Sequence, residues 1–291
     1  MKTIGKAFLS GARDLIKSIQ KNEVPVTAAS MAYSTLFALI PLLLFLAALS
    51  GFVSRWIGAD NTVEEVTDFL FRHLPDSSAA ALEEPIEAIL RRQTGGLLSV
   101  GAVLAIWGSR SMISGGVRAI NRAYGIDKPR NWLEQNAISL GLTIGLGITA
   151  VIGSASVLLG SRWGDRTSDK FGVGEQFADI WSFSRWPLIG ILLFGALVVF
   201  FRVAPATRIS MRSVIPGALF SLVGWAIAIV ALSYYFSIAG SYTAAYGIIG
   251  GILALIFWLY VMSMIFAIGA ELNALFYRRS IKTSPPPTAI P

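Results

Sequence analysis

Residues 213–270 read SVIPGALFSLVGWAIAIVALSYYFSIAGSYTAAYGIIGGILALIFWLYVMSMIFAIGA, 58 in succession without an Asp, Glu, Lys or Arg. A soluble domain carries roughly 25% charged residues, so a run of this kind excludes a water-soluble globular enzyme. As one helix it would extend about 87 Å at 1.5 Å per residue, whereas the hydrocarbon core of a bilayer is about 30 Å thick. The run must therefore fold back, and Gly240-Ser-Tyr-Thr-Ala-Ala-Tyr-Gly247 supplies a polar, Gly-flanked reversal. Helices are expected on either side, near 214–237 and 248–271.

The same measure, the distance between successive charges, finds four more gaps. They hold 31 residues between Glu23 and Arg55, 17 from Gln93 to Ser109, 27 between Glu134 and Arg162, and 16 between Arg185 and Arg202. A membrane-crossing helix needs about 20 mostly apolar residues, which places four further helices near 28–53, 95–116, 137–160 and 183–203. The second includes Arg110. The fourth reaches across by placing Trp181, Arg185, Trp186 and Arg202 at the two interfaces, rings among headgroups and guanidinium groups snorkelling outward. One short apolar run could equally be a buried helix of a soluble protein, but six in one chain could not. Composition agrees: of 291 residues 54% are hydrophobic and 14% charged, with a mean hydropathy of +0.64. The expected fold is all-α, a polytopic membrane protein with six transmembrane helices.

Net charge is +7, from 24 Lys and Arg against 17 Asp and Glu, and in a membrane protein its placement matters more than its total. The N-terminal arm, the second and fourth connections and the tail hold 16 Lys and Arg and 5 acids; the alternate segments hold 8 and 12. By the positive-inside rule both termini are cytoplasmic. The organisation expected is a basic arm at 1–27, a six-helix membrane domain at 28–280 with an external helical loop at 54–94, and a disordered Pro-rich tail at 281–291. The first apolar run is too long for a cleavable signal and is expected to stay as an anchor. In the arm, Lys2, Lys6, Arg13 and Lys17 share one helical face and Ile4, Phe8, Leu15 and Ile19 the opposite one, which suits a helix lying on anionic headgroups; a merely basic tail is the plainer reading. In the external loop, Val63, Val66, Phe69 and Leu70 alternate with acids as in an amphipathic helix, and 83–92 suggests another.

Chemistry is scarce. Cysteine is absent and His73 is the only histidine, which removes disulfides, thiolate metal sites and most imidazole catalysis. No Walker A loop is present. No cofactor and no metal is expected, and no nucleic acid, because the few acids on the cytoplasmic side are dispersed in sequence and build no hydrolytic site. The polar residues within the spans are the remaining candidates. Arg110 is followed at helical spacing by Arg118, Asn121 and Arg122. These residues either snorkel to the interface or form a basic pocket for a phosphate or carboxylate headgroup. Glu271 and Asn273 end the last helix, and Glu271 either neutralises Arg110 or a neighbouring basic residue or lies in interfacial water. Tyr33, Thr35 and Pro41 in the first helix, and Pro216 and Gly217 in the fifth, mark a hinge or cavity lining, against the plainer reading of close packing with a kink. Gly141-x-x-x-Gly145 and Gly247-x-x-x-Gly251 match small-residue packing motifs.

Three separated stretches, AASMAYSTLFALIP at 28–41, WGSRSMISGGVRAINRAYG at 107–125 and the segment from RVAPATRISMRS at 202 through AELNALF at 276, resemble the YihY/BrkB family of bacterial inner-membrane proteins. The resemblance spans about residues 20 to 280, with its motifs in the family's order. It implies a multi-pass protein of the cytoplasmic membrane, a link to virulence and envelope integrity, and an old ribonuclease label. The function expected is a transporter or flippase-like carrier of an anionic amphiphile or lipid precursor; the alternative is a non-transporting scaffold for envelope assembly. Implied partners are membrane lipids, anionic ones among them, and envelope proteins.

Overall fold

The computed structural model describes residues 2–39, 95–126, 130–149 and 174–283, and all the regular secondary structure among them is helical. In chain order these are α1 (Lys2–Lys21), α2 (Val24–Leu39), α3 (Gly95–Tyr124), α4 (132–149), α5 (Gly174–Val203) and α6 (Met211–Thr283). Pro41, the external loop 54–94 and the tail beyond residue 283 lie outside the described residues, as do the far ends of the helices expected over 28–53 and 137–160. The charge-free gaps mark only the apolar middle of each helix. α3, α5 and α6 continue into turns carrying Arg118 and Arg122, Arg202, and Arg278 and Arg279, because a helix keeps its hydrogen bonds when it leaves hydrocarbon.

Helical residues run without interruption through α6 for 73 residues, yet its two ends touch. The Gly217 N–H donates to Asn273 Oδ1 at 2.7 Å, and Trp225 Nε1 donates to the Met262 carbonyl at 2.9 Å. Halfway between 217 and 273 is 245, and halfway between 225 and 262 is 243–244. The chain therefore reverses between residues 236 and 249, which divides α6 into antiparallel arms α6a (Met211–Phe236) and α6b (Ile249–Ile281). With Trp186–Val203 of α5, these arms are the three segments among the described residues long and apolar enough to cross a membrane.

The arms approach more closely than ordinary side chains allow. A Cβ on Gly217 would overlap the Gly269 carbonyl and the Asn273 amide, and one on Gly269 would overlap Ser221 Oγ. Gly224 meets Ile265 in the same way. The small-residue seam is thus Gly217-x-x-x-Ser221 against Gly269-x-x-x-Asn273; Gly141 and Gly145 have no neighbour within 4 Å among the described residues, and Gly247 lies where side chains are not described. Upon this hairpin α3 and α5 pack through Val117, Ile120, Phe200 and Phe201, with Phe201 stacked on Phe266 at 4.9 Å and Phe200 edge-on to it at 5.3 Å. α2 adds a smaller patch, Ala32 against Leu255 and Leu259. The opposite face of α6a shows Ile215, Leu219, Val223, Ile227, Val230 and Tyr234, all exposed. That i, i+4 stripe suits lipid tails rather than water.

The described ends of the helices gather at one end of the bundle, where the backbone groups they leave open are closed by neighbours. α3 stops at Gly125 (φ 69°), with Gly125 N–H to Arg122 carbonyl and Ile126 N–H to Asn121 carbonyl, a Schellman cap. Arg130, just before α4, donates to the carbonyls of Val203, Ala204 and Pro205 at the end of α5, and Arg278 of α6b donates to Ala123 at the end of α3. The Asn121 side chain accepts from the Ala206 N–H at 3.0 Å. Between α1 and α2 the chain turns through Glu23 in the left-handed region (φ 49°), and the basic helix ends at residue 21.

Gly217→Val or Gly269→Val should cost at least about 3 kcal/mol, because backbone must move, read as loss of monodisperse protein in detergent. Gly141→Ala and Gly145→Ala should stay within about 1 kcal/mol of the parent and tend toward stabilisation. Arg130→Ala should lower stability by about 1–2 kcal/mol through loss of a cation at the α5 C-terminus, read as a fall in melting temperature.

Candidate functional site

Three polar groupings occur in the described bundle, and the residues expected to act together are divided among them. The first lies between α3 and α4. The Arg110 guanidinium donates to Asn136 Oδ1, while its Nε is buried without a hydrogen-bond partner, as is Gln135 Oε1. Ser114 and Ser139 face each other at 3.4 Å one turn farther along α3. Asn136 sits one turn into α4, so Arg110 is drawn toward the connection between the two helices. Among the described residues no carboxylate pairs with it. A neutral amide satisfies one N–H but leaves the positive charge uncompensated.

The second grouping is the α6 hairpin. Asn273 Oδ1 takes the Gly217 N–H, next to Pro216, which itself has no N–H to give to the helix. Asn273 Nδ2 and Ser221 Oγ are fully buried and have no partner. Each is an exception to the rule that buried polar atoms are hydrogen-bonded, and the two lie against the same pair of glycines.

The third grouping is the gathered end. Glu271, 2% exposed, accepts from Ser18 Oγ and from Asn22 Nδ2, both at 2.6 Å and both on or just beyond α1. Its ion-pair partner is Arg278 at 3.9 Å, two turns along α6b, and not Arg110. Nor is Glu271 in interfacial water. Arg122 pairs with Glu23 at 3.1 Å and reaches Thr27 at 3.3 Å, joining α3 to α2. Arg118 is exposed. The Tyr124 phenol, edge-on to Tyr277 at 5.5 Å, is pushed up from its ordinary pKa by burial first and Tyr277 second, against Arg278, so it stays protonated. In α2, Tyr33 is exposed beside Phe37, and Thr35 donates to the Met31 carbonyl within its own helix.

Sequence reading missed Asn136, Ser18, Asn22, Ser221 and Gly269. Ser221 and Gly269 carried a signal, the small-x-x-x-small spacing from Gly217 and to Asn273. The partners of Glu271 carried none, because Ser18 lies 253 positions away from it. Among the described residues no group of three or more His, Asp or Glu could hold a metal ion.

The family described as Virulence factor BrkB matches residues 15–289. A ribonuclease-like protein of Bacillus subtilis, YfkH, is 30% identical over 274 residues, covering 93% of this chain and 96% of that one. UPF0761 membrane proteins of Pseudoalteromonas translucida and Aliivibrio salmonicida are 27% and 25% identical, covering 91% and 89% of this chain and 85% and 81% of theirs. No solved structure matches. A match over nearly the whole chain, together with apolar helices built to cross a bilayer, places the chain in the BrkB family of membrane proteins.

Proposed function

We propose that the protein crosses the bacterial inner membrane six times with both termini in the cytoplasm and carries an anionic amphiphile, a lipid or lipid-linked envelope precursor, whose charged group is held by Arg110. The gathered end supports the orientation. It collects the N-terminal helix, the even-numbered connections and the C-terminal helix, which are the segments richest in Lys and Arg, and so corresponds to the cytoplasmic face.

The observation that carries the functional reading is the uncompensated charge of Arg110. A cation inside a span costs about 2.5–3.5 kcal/mol even on the lenient insertion scale, and a purely structural role would have been served as well by an apolar side chain. A passing phosphate or carboxylate supplies the missing counter-charge and can take the Nε–H left open in this state. Pro216 and Gly217, beside the unpaired atoms of Ser221 and Asn273, provide the place where α6 bends as the cargo passes. The ribonuclease-like name belongs to the B. subtilis relative. In this chain Asp14, Glu23 and Glu271 are engaged with Arg279, with Arg122, and with Ser18 and Asn22, which leaves them poorly placed for hydrolysis. The tight seam between the arms of α6 favours the second reading, a scaffold that recruits envelope proteins without moving a substrate.

Arg110→Ala should slow the movement of fluorescent phosphatidylglycerol across reconstituted vesicles by about tenfold or more, the worth of a charge-assisted hydrogen bond, with insertion unchanged. Arg110→Met should melt at the same or a higher temperature than the parent, since a charge with no partner is removed; a fall in melting temperature would assign Arg110 a structural role. Under the scaffold reading, deletion of residues 61–93 abolishes the cellular phenotype while Arg110→Ala preserves it.

A further inference from the structure

The seam between α1 and α6b opens, at the gathered end, into a groove of about 310 Å³. Asp14, Lys17, Ser18 and Lys21 recur at i, i+3, i+4 and i+7 along one face of α1, and Leu275, Arg278 and Arg279 at i, i+3 and i+4 along α6b, so that two helical faces look into one space. Four cations and a single acid line it. The two guanidinium groups are fixed. Arg278 is bonded to the carbonyls of Ala123 and Ala274, and Arg279 lies 3.4 Å from Asp14 Oδ2, with Gly11 leaving it room against α1. Lys17 and Lys21 are exposed and have no ion-pair partner among the described residues. Glu271, the other acid nearby, lies behind Ser18 and Asn22 at 3.9 Å from Arg278, so the two arginines each face an acid and the two lysines do not.

We propose that this groove binds a phosphate group, as a mono- or diester. Like charges one turn apart disfavour a helix, and here no acid separates Lys17 from Lys21, so an anion from outside the described chain completes the arrangement. A phosphate offers several acceptor oxygens within a small volume, and as a monoester more than one charge, which suits cations converging from two walls; a carboxylate satisfies fewer of them. Ser18 spends its one hydroxyl hydrogen on Glu271 and so anchors α1 at the edge of the groove, leaving the anion to the cations. The site is distinct from Arg110 and rests on the proposed topology only for the statement that it faces the cytoplasmic leaflet. The phosphate belongs either to a lipid headgroup or to a soluble compound.

The test uses the full chain in phosphatidylcholine nanodiscs, with the shift in melting temperature and the binding curve read for phosphatidylglycerol added to the disc and for inorganic phosphate added to the buffer. K17Q/K21Q should bind about 30-fold more weakly, from two surface lysines near an anionic group, while K17R/K21R binds as the parent does. R212Q, an exposed arginine at the start of α6a, should leave binding unchanged. Response to phosphatidylglycerol alone assigns a lipid headgroup, and response to inorganic phosphate assigns a soluble phosphate; both uphold the site if K17Q/K21Q removes them. Equal binding by parent and K17Q/K21Q, equal loss in R212Q, or no binding of either probe by the parent overturns it. The part of the binding that K17Q/K21Q removes should be the same size in an R110A background, whatever R110A itself does to phosphatidylglycerol, so a failure of the carrier reading leaves this result intact, and the reverse.

Discussion

The contact of Gly217 with Gly269 governs the rest of the bundle. In hydrocarbon, two apolar helices gain little by burying apolar surface against each other, and association rests on close packing and on polar groups that find no water. The α6 hairpin uses both. Glycines bring the two backbones together, and Asn273 takes the amide hydrogen next to Pro216. Once the arms are locked, Phe266 is presented at a fixed height, and the stacking of Phe201 and edge contact of Phe200 set where α5 lies. α3 follows, because Gly116 admits the Phe200 ring.

The gathered end is built on another principle. There α1, α3, α5 and α6b finish, and each opens backbone carbonyls that must be met. Two arginines meet them in trans, Arg130 for α5 and Arg278 for α3, placing positive charge at the negative ends of two helices. α1 is then fastened from outside by neutral donors to a buried carboxylate, since Ser18 and Asn22 close over Glu271. The left-handed turn at Glu23 has a cost of about 1–2 kcal/mol, and the Arg122 pair on the same residue helps to hold it.

What could be read from sequence was the part governed by local composition. The absence of charge over 213–270 required a reversal and located it, because a charge-free run longer than any membrane is thick admits no other solution. Helix ends were misjudged wherever charged turns prolong a helix beyond hydrocarbon, as in α3 through Arg122. Partnerships such as Glu271 with Ser18 and Arg110 with Asn136 were not legible, since they depend on which helix faces which, and a hydropathy pattern is silent on that. The glycine motif at 141–145 shows the converse: spacing alone does not say that a neighbour is present.

Carboxylates and helix-end carbonyls are met in the bundle more completely than its buried neutral polar atoms are. At the gathered end the acids Asp14, Glu23 and Glu271 all have partners, and the carbonyls that finish α3 and α5 are met by arginines. Among the described residues the buried atoms left unmet are Arg110 Nε, Ser221 Oγ, Asn273 Nδ2, Gln135 Oε1 and Tyr124 OH, and the last three lie at or beside that same end. An unmet polar atom raises the energy of the conformation that contains it relative to one in which it is bonded. The paired acids and capped carbonyls therefore hold the helix ends together, while Arg110 and the Ser221–Asn273 seam are places where a bound anion, or a second arrangement, lowers the free energy.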